Sequence, residues 1–90
     1  MVHYYSHAIS YKVVENTNTG YIKIDIFAKN TPEQFKRAMN ELNAQGVDSL
    51  IIDVRDNSGG YLSSAEEIIS SLNIGIFKLL LILIHPPKGV

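Results

Sequence analysis

The sequence predicts an α/β unit: a βαβ-type parallel or mixed sheet with two helices. Three observations carry this. Residues 21–27 alternate in polarity with period 2, residues 49–54 are almost continuously apolar, and an amphipathic helical segment joins them. A strand, a helix and a second strand in that order form a crossover unit. Such units are right-handed in about 98% of cases and their strands run parallel.

Taken in order, residues 8–14 are rich in β-formers and are followed by the polar cluster Glu15-Asn16-Thr17-Asn18-Thr19-Gly20, so a strand and a turn are expected. Tyr21-Ile22-Lys23-Ile24-Asp25-Ile26-Phe27 then sets Ile22, Ile24 and Ile26 on one face, as in a half-buried or near-edge strand. Thr31-Pro32-Glu33-Gln34 reads as a helix start, with Thr31 as N-cap, Pro32 where no amide hydrogen is needed, and Gln34 completing a capping box. Phe35, Ala38, Met39 and Leu42 form its apolar face, and Gly46 is the residue that ends it. The apolar run Ser49-Leu50-Ile51-Ile52-Asp53-Val54 is expected at the centre of a sheet, covered on both faces. After the turn Arg55-Asp56-Asn57-Ser58-Gly59-Gly60, Ser63 with Glu66 and Ser64 with Glu67 offer overlapping capping boxes ahead of Ile68, Ile69 and Leu72. A second helix is expected there, then a buried strand within residues 74–84. The tail His85-Pro86-Pro87-Lys88-Gly89-Val90 stops regular structure.

Ninety residues with 46% hydrophobic content suffice for one domain, burying roughly 60 to 65% of the unfolded surface. A formal charge of -1 gives no electrostatic footprint for nucleic acid or an anionic membrane. Without cysteine there is no disulfide, thiolate nucleophile or cysteine-based zinc site. The first residues lack the basic and apolar regions of a secretory signal, so the chain as written starts in the cytoplasm. Residues 74–84 include Gly75 and Lys78 and fall short of the about 20 residues that a spanning helix needs, so no membrane span is expected. Leu79 to Ile84 is a low-charge, β-prone segment, and exposed sheet edges make self-association an expectation.

The chemistry concentrates at the glycine turn. In open α/β sheets, ligands gather at the carboxyl ends of parallel strands, where Asp53 to Gly60 falls. Adjacent glycines let backbone amides approach one negatively charged oxygen, whether phosphate, carboxylate or tetrahedral oxyanion. The same pair also serves simply as a tight strand-to-helix turn. Neither a G-x-x-x-x-G-K-[ST] loop nor a G-x-G-x-x-G fingerprint is present, which turns the reading from nucleotides toward an oxyanion.

Asp53-Val54-Arg55-Asp56-Asn57-Ser58-Gly59-Gly60 resembles the D-[LV]-R-x-N-x-G-G segment of the tail-specific, or carboxyl-terminal processing, serine peptidases. Upstream, Gly20-Tyr21-Ile22-Lys23-Ile24 resembles their G-Y-[IV]-x-[IL] strand, Phe27 and Asn30-Thr31 their helix entry, and Gly46-Val47 their helix exit. Leu62-Ser63-Ser64-Ala65 resembles the start of their next helix. The resemblance covers residues 20–72 and implies a portion of a ClpP/crotonase-like peptidase core. On that basis residues 1–19 are an N-terminal strand and loop, 20–72 the family-like core, and 73–90 an apolar strand and proline-rich tail of one partial domain.

The resemblance implies that the Gly59 and Gly60 amides serve an oxyanion hole, with the exact donor open, and that Asp53, Arg55 and Asn57 hold the turn. It implies no cofactor or metal, and as partner a peptide or unstructured protein C-terminus once the rest of the domain completes the site. The family's serine comes from a later strand-to-helix turn, and its lysine base from further on. Here the last serine is Ser71, no S-[AS]-S motif follows, and neither Lys78 nor Lys88 follows a nucleophile. The expectation is a partial peptidase domain without its own Ser-Lys dyad, inactive alone. The alternatives are a non-catalytic module that holds a carboxylate or phosphate, or a gene remnant without function.

Other residues read as structural. His3 and His7 are spaced i, i+4 but lack a metal motif, and His85 precedes two prolines. Ser58, Ser63 and Ser64 lack a G-x-S-x-G elbow. Asp53 and Asp56 could form an acid/base pair or magnesium site, but Asp53 beside Arg55 reads as an ion pair. The tyrosines form no stripe for base stacking.

Overall fold

The computed structural model describes residues 8–72 and 77–84. The expectations for His3, His7, Gly75, His85 and the proline-rich tail lie outside the described residues. The elements are β1 (Ile9–Val13), β2 (Thr19–Ile24), α1 (Thr31–Ala44), β3 (Ser49–Asp53), α2 (Leu62–Leu72) and β4 (Lys78–Leu83). They build a mixed four-stranded sheet in the order β1-β2-β3-β4. β1 pairs antiparallel with β2, while β2 with β3 and β3 with β4 are parallel, as the crossover pattern requires.

Both crossovers step the same way across the sheet, so a common right hand puts α1 and α2 on one face, where they touch each other. The core forms between that face and the helices. Ile22, Ile24, Leu50 and Ile52 meet Phe35, Ala38, Met39 and Leu42 of α1 and Ile68 of α2. α1 ends in a Schellman motif: the Gly46 N–H donates to the Asn43 carbonyl at 3.1 Å and the Val47 N–H to the Leu42 carbonyl at 3.1 Å. Gly46 has φ +84°, as the predicted end residue should.

Several expectations need correction. β3 is covered by helices on one face only. Ser49, Ile51 and Asp53 face the other side, where Ile51 is only half-buried and Asp53 is buried by neighbouring side chains rather than by a second layer. β2 ends at Ile24, three residues early, and Ile26 is exposed: the Asp25 N–H still bonds to the Ala8 carbonyl, but the Asp25 carbonyl and the Phe27 N–H bond to the glycine turn instead of to a strand ladder. Among the described residues β4 has only β3 beside it, and Ile82 and Ile84 are exposed where a buried strand is expected. No helix among the described residues is long and apolar enough to cross a membrane.

The capping boxes are absent as well. α1 has no side-chain cap bond. The fully buried Thr31 hydroxyl turns backward, accepting from the Ala28 N–H at 2.8 Å and donating to the Ile26 carbonyl at 3.0 Å. The Gln34 side chain accepts from the Ala8 N–H at 3.0 Å. α2 begins at Leu62, so Ser63 and Ser64 sit inside its first turn, and the Ser64 hydroxyl donates to the Ala28 carbonyl at 2.8 Å. Thr31 and Ser64 therefore fasten residues 26–28, the segment that the glycine turn lies against. Thr31→Val keeps the shape but leaves two part-buried backbone groups, the Ala28 N–H and the Ile26 carbonyl, unmatched. It is expected to cost about 2 to 3 kcal/mol, read as a lower urea midpoint at unchanged slope.

Candidate oxyanion-side turn

The turn leaves the carboxyl end of β3 and is anchored first by Asp53, 1% exposed. Its Oδ1 accepts from the Arg55 N–H at 2.9 Å and from Arg55 Nε at 3.0 Å, and its Oδ2 from Arg55 Nη2 at 2.9 Å. Oδ2 also accepts the Tyr21 hydroxyl, which reaches across from β2. The Arg55 side chain holds the Asp53 carboxyl well below the usual carboxylate range, against the opposing effect of burial, and Tyr21 adds to it. Reciprocally, the bonded carboxylate raises the Tyr21 phenol.

Asn57 is the second anchor. Its Nδ2 donates to the Ile24 carbonyl at 3.0 Å, tying the turn to the end of β2, and its Oδ1 accepts from the Gly59 N–H at 2.7 Å. The Ser58 N–H donates to the Asp25 carbonyl at 3.0 Å, and Lys23 Nζ donates to the Arg55 carbonyl. Lys23 also pairs with Asp25 at 3.2 Å.

Past Asn57 the chain runs alongside Phe27. The Phe27 N–H donates to the Gly59 carbonyl at 2.7 Å and the Tyr61 N–H donates to the Phe27 carbonyl at 2.7 Å, a parallel bridge between Phe27 and Gly60. In such a bridge the flanking residues supply the bonds, so Gly60 turns its own N–H and C=O away from Phe27. The two glycine amides therefore differ. Gly59 gives its hydrogen to Asn57, whereas the Gly60 N–H has no partner among the described residues. It stands just before the positive end of α2, which favours negative charge.

Close approach explains why glycine occupies position 60. A Cβ there would lie 2.2 Å from the Phe27 carbonyl oxygen, and φ is +129°. At Gly59 a Cβ meets nothing within 4 Å, and only φ +96° argues for glycine.

Asp53, Arg55, Asn57, Gly59 and Gly60 thus come together in one hydrogen-bonded turn. Tyr21 and Lys23 join them without having been singled out. The available signal was parity: Tyr21, Lys23 and Asp53 share one face of adjacent parallel strands, with Lys23 paired to Asp53. No group of three or more candidate metal ligands exists among the described residues.

Comparison with known proteins locates the same region. The family model described as Peptidase family S41 matches residues 18–79. The carboxy-terminal processing protease CtpB of Bacillus subtilis (strain 168) is 47% identical over 60 residues, which are 67% of this chain and 12% of that protein. The carboxyl-terminal-processing protease of Picosynechococcus sp. (strain ATCC 27264 / PCC 7002 / PR-6) is 37% identical over 49 residues, 54% of this chain and 12% of that one. Among solved structures, the photosystem II D1 C-terminal processing protease matches with a TM-score of 0.58 at 24% identity, covering 69% of this chain and 19% of that chain. The last is a likeness of fold. The chain thus spans about an eighth of the length of these two curated relatives.

Proposed function

This chain belongs to peptidase family S41, and on that premise we propose that it carries the oxyanion side of a tail-specific, C-terminal processing serine peptidase site. The observation that carries the reading is the Gly60 amide. It is fixed by the bridge to Phe27, lies ahead of α2, and is left over when Asn57 has taken the Gly59 amide.

When a nucleophile adds to a peptide carbonyl, the oxygen gains negative charge. A donor already aimed at that position stabilises the transition state by about 3 to 4 kcal/mol without reorganising. Gly60 is that donor in this reading. Asp53, Arg55, Asn57 and Tyr21 are positioning residues, which fix the turn and touch no reacting atom. The acceptor is the scissile carbonyl of a peptide or an unstructured protein C-terminus, and no cofactor takes part.

The other half of the reaction needs a serine and a base within hydrogen-bond reach. No serine follows Ser71 in the 90 residues, and Lys78 and Lys88 follow no nucleophile. These residues alone therefore do not cleave peptides. Incubation with a fluorophosphonate probe and with an unstructured peptide ending in apolar residues is expected to give neither a labelled serine nor steady cleavage. Either result would overturn the assignment of a half-site.

A further inference from the structure

The segment that carries Gly60 starts as a β-turn of defined form. The Asn57 N–H donates to the Val54 carbonyl at 3.3 Å, closing a turn over Val54, Arg55, Asp56 and Asn57. Asp56, at its third position, has φ +62°, and among the described residues Asn16 is the only other non-glycine with positive φ, so Arg55 at the second position has none. A positive φ at the third position alone marks a type II turn, which ordinarily places glycine or asparagine there. The β1–β2 loop follows that rule: the Thr17 N–H donates to the Val14 carbonyl at 3.1 Å, and Asn16 takes φ +64°. Asp56 departs from it. The competing type I turn needs no positive φ and accepts most residues; it differs by reversal of the central peptide, which sends the second residue's carbonyl to the opposite side.

The contact that opposes this reversal is Lys23, whose Nζ donates to the Arg55 carbonyl. In the type I form the Asp56 N–H would take that carbonyl's place and face the ammonium, donor against donor. Register brings Lys23 here, since it pairs with Asp53 at the end of β3, and its side chain is 22% exposed. Lys23 also pairs at 3.2 Å with Asp25, whose carbonyl accepts the Ser58 N–H at 3.0 Å. One ammonium therefore supports the turn on both sides of Asn57. We propose that Lys23 is a positioning residue for the oxyanion donor: its bond to the Arg55 carbonyl selects the type II form and so fixes Asn57, which takes the Gly59 amide and leaves that of Gly60. The inference rests on the reading of Gly60 as that donor, yet the form of the turn is measurable without substrate, nucleophile or base.

Nuclear magnetic resonance of the full chain tests it. A type II turn brings the Arg55 Hα against the Asp56 N–H and gives a strong Overhauser cross-peak that a type I turn lacks. The unaltered chain is expected to show this peak. Lys23→Met is expected to lose it and to exchange the Gly59 amide hydrogen about tenfold faster, the worth of one bond to a charged group. Lys23→Arg keeps a cationic donor and should preserve both signals, as should Asp25→Asn, which removes only the exposed ion pair. Adding Asp56→Gly to Lys23→Met should restore the cross-peak, because glycine takes a positive φ without penalty. Absence of the peak from the unaltered chain would overturn the proposal even if Lys23→Met failed to fold. So would a Lys23→Met chain that keeps the peak or loses it with Gly59 exchange unchanged, a Lys23→Arg or Asp25→Asn chain without it, or a double variant that does not regain it. Failure of the oxyanion reading shows separately, as labelling or cleavage in the probe and peptide assay, and leaves these signals unmoved.

Discussion

Gly60→Ala is expected to remove a large part of the stability of the folded chain. The added Cβ would sit 2.2 Å from the Phe27 carbonyl oxygen and 2.6 Å from its carbon, and both are backbone atoms that cannot swing aside. Phe27 must retreat, which breaks the bonds from the Phe27 N–H to Gly59 and from the Tyr61 N–H to Phe27. Each lost bond costs about 1 kcal/mol net, and forcing an L-residue to φ +129° adds about 1 to 3 kcal/mol of strain. The total, about 4 kcal/mol, compares with a whole stability of roughly 5 to 13 kcal/mol for a chain of this length. Gly59→Ala makes a controlled contrast. Nothing lies within 4 Å of its Cβ, so only the cost of φ +96° applies, about 1 to 2 kcal/mol. Urea unfolding followed by circular dichroism should place the midpoints in the order unaltered chain, Gly59→Ala, Gly60→Ala. Equal midpoints for the two variants would contradict the close approach to Phe27.

The same residues explain what could be read from the sequence. The crossover order, the α1 face of Phe35, Ala38, Met39 and Leu42, and the end at Gly46 were legible because each is a local pattern that the tertiary structure reinforces. The motif 53–60 was legible because strand end, glycine pair and helix start follow one another without interruption. The capping boxes failed for the opposite reason. Thr31, Gln34 and Ser64 have partners distant in the chain or lying before the helix, in Ile26, Ala28 and Ala8, which offered stronger buried bonds than a cap. Likewise no local pattern separates Gly59 from Gly60. Their difference arises from Asn57 and from Phe27, which lies more than thirty residues upstream of both glycines. The exposure of Ile82 and Ile84 was not legible because apolar composition does not reveal what flanks a strand.

The ion pair beneath the turn leads to the second large effect, one that shrinks as pH falls. The folded Asp53 carboxyl is depressed, chiefly by the Arg55 side chain, relative to an unfolded value of about 3.9. The folded state therefore binds fewer protons between those two values. Its contribution is fully present above the unfolded pKa and is lost as pH falls through the folded one. Asp53→Asn is expected to cost about 2 to 3 kcal/mol at neutral pH, the worth of its charge-assisted bonds, and to flatten the acid limb of the stability profile. Arg55→Met should be worse at neutral pH. It leaves a carboxylate that is 1% exposed without its cation, whereas Arg55 in Asp53→Asn is 48% exposed and can turn to water. With the guanidinium gone, the largest depressing effect is lost and the Asp53 pKa rises from its native position, so Arg55→Met loses less stability to acid than the unaltered chain does. The gap between each variant and the unaltered chain should thus narrow as pH falls, and Arg55→Met should be nearly silent when Asp53 is already Asn. Urea midpoints of the single and double variants across the acid range test this. Parallel curves would mean that the turn is held by Asn57 and the Phe27 bridge alone, with the Asp53–Arg55 pair contributing nothing to the position of Gly60.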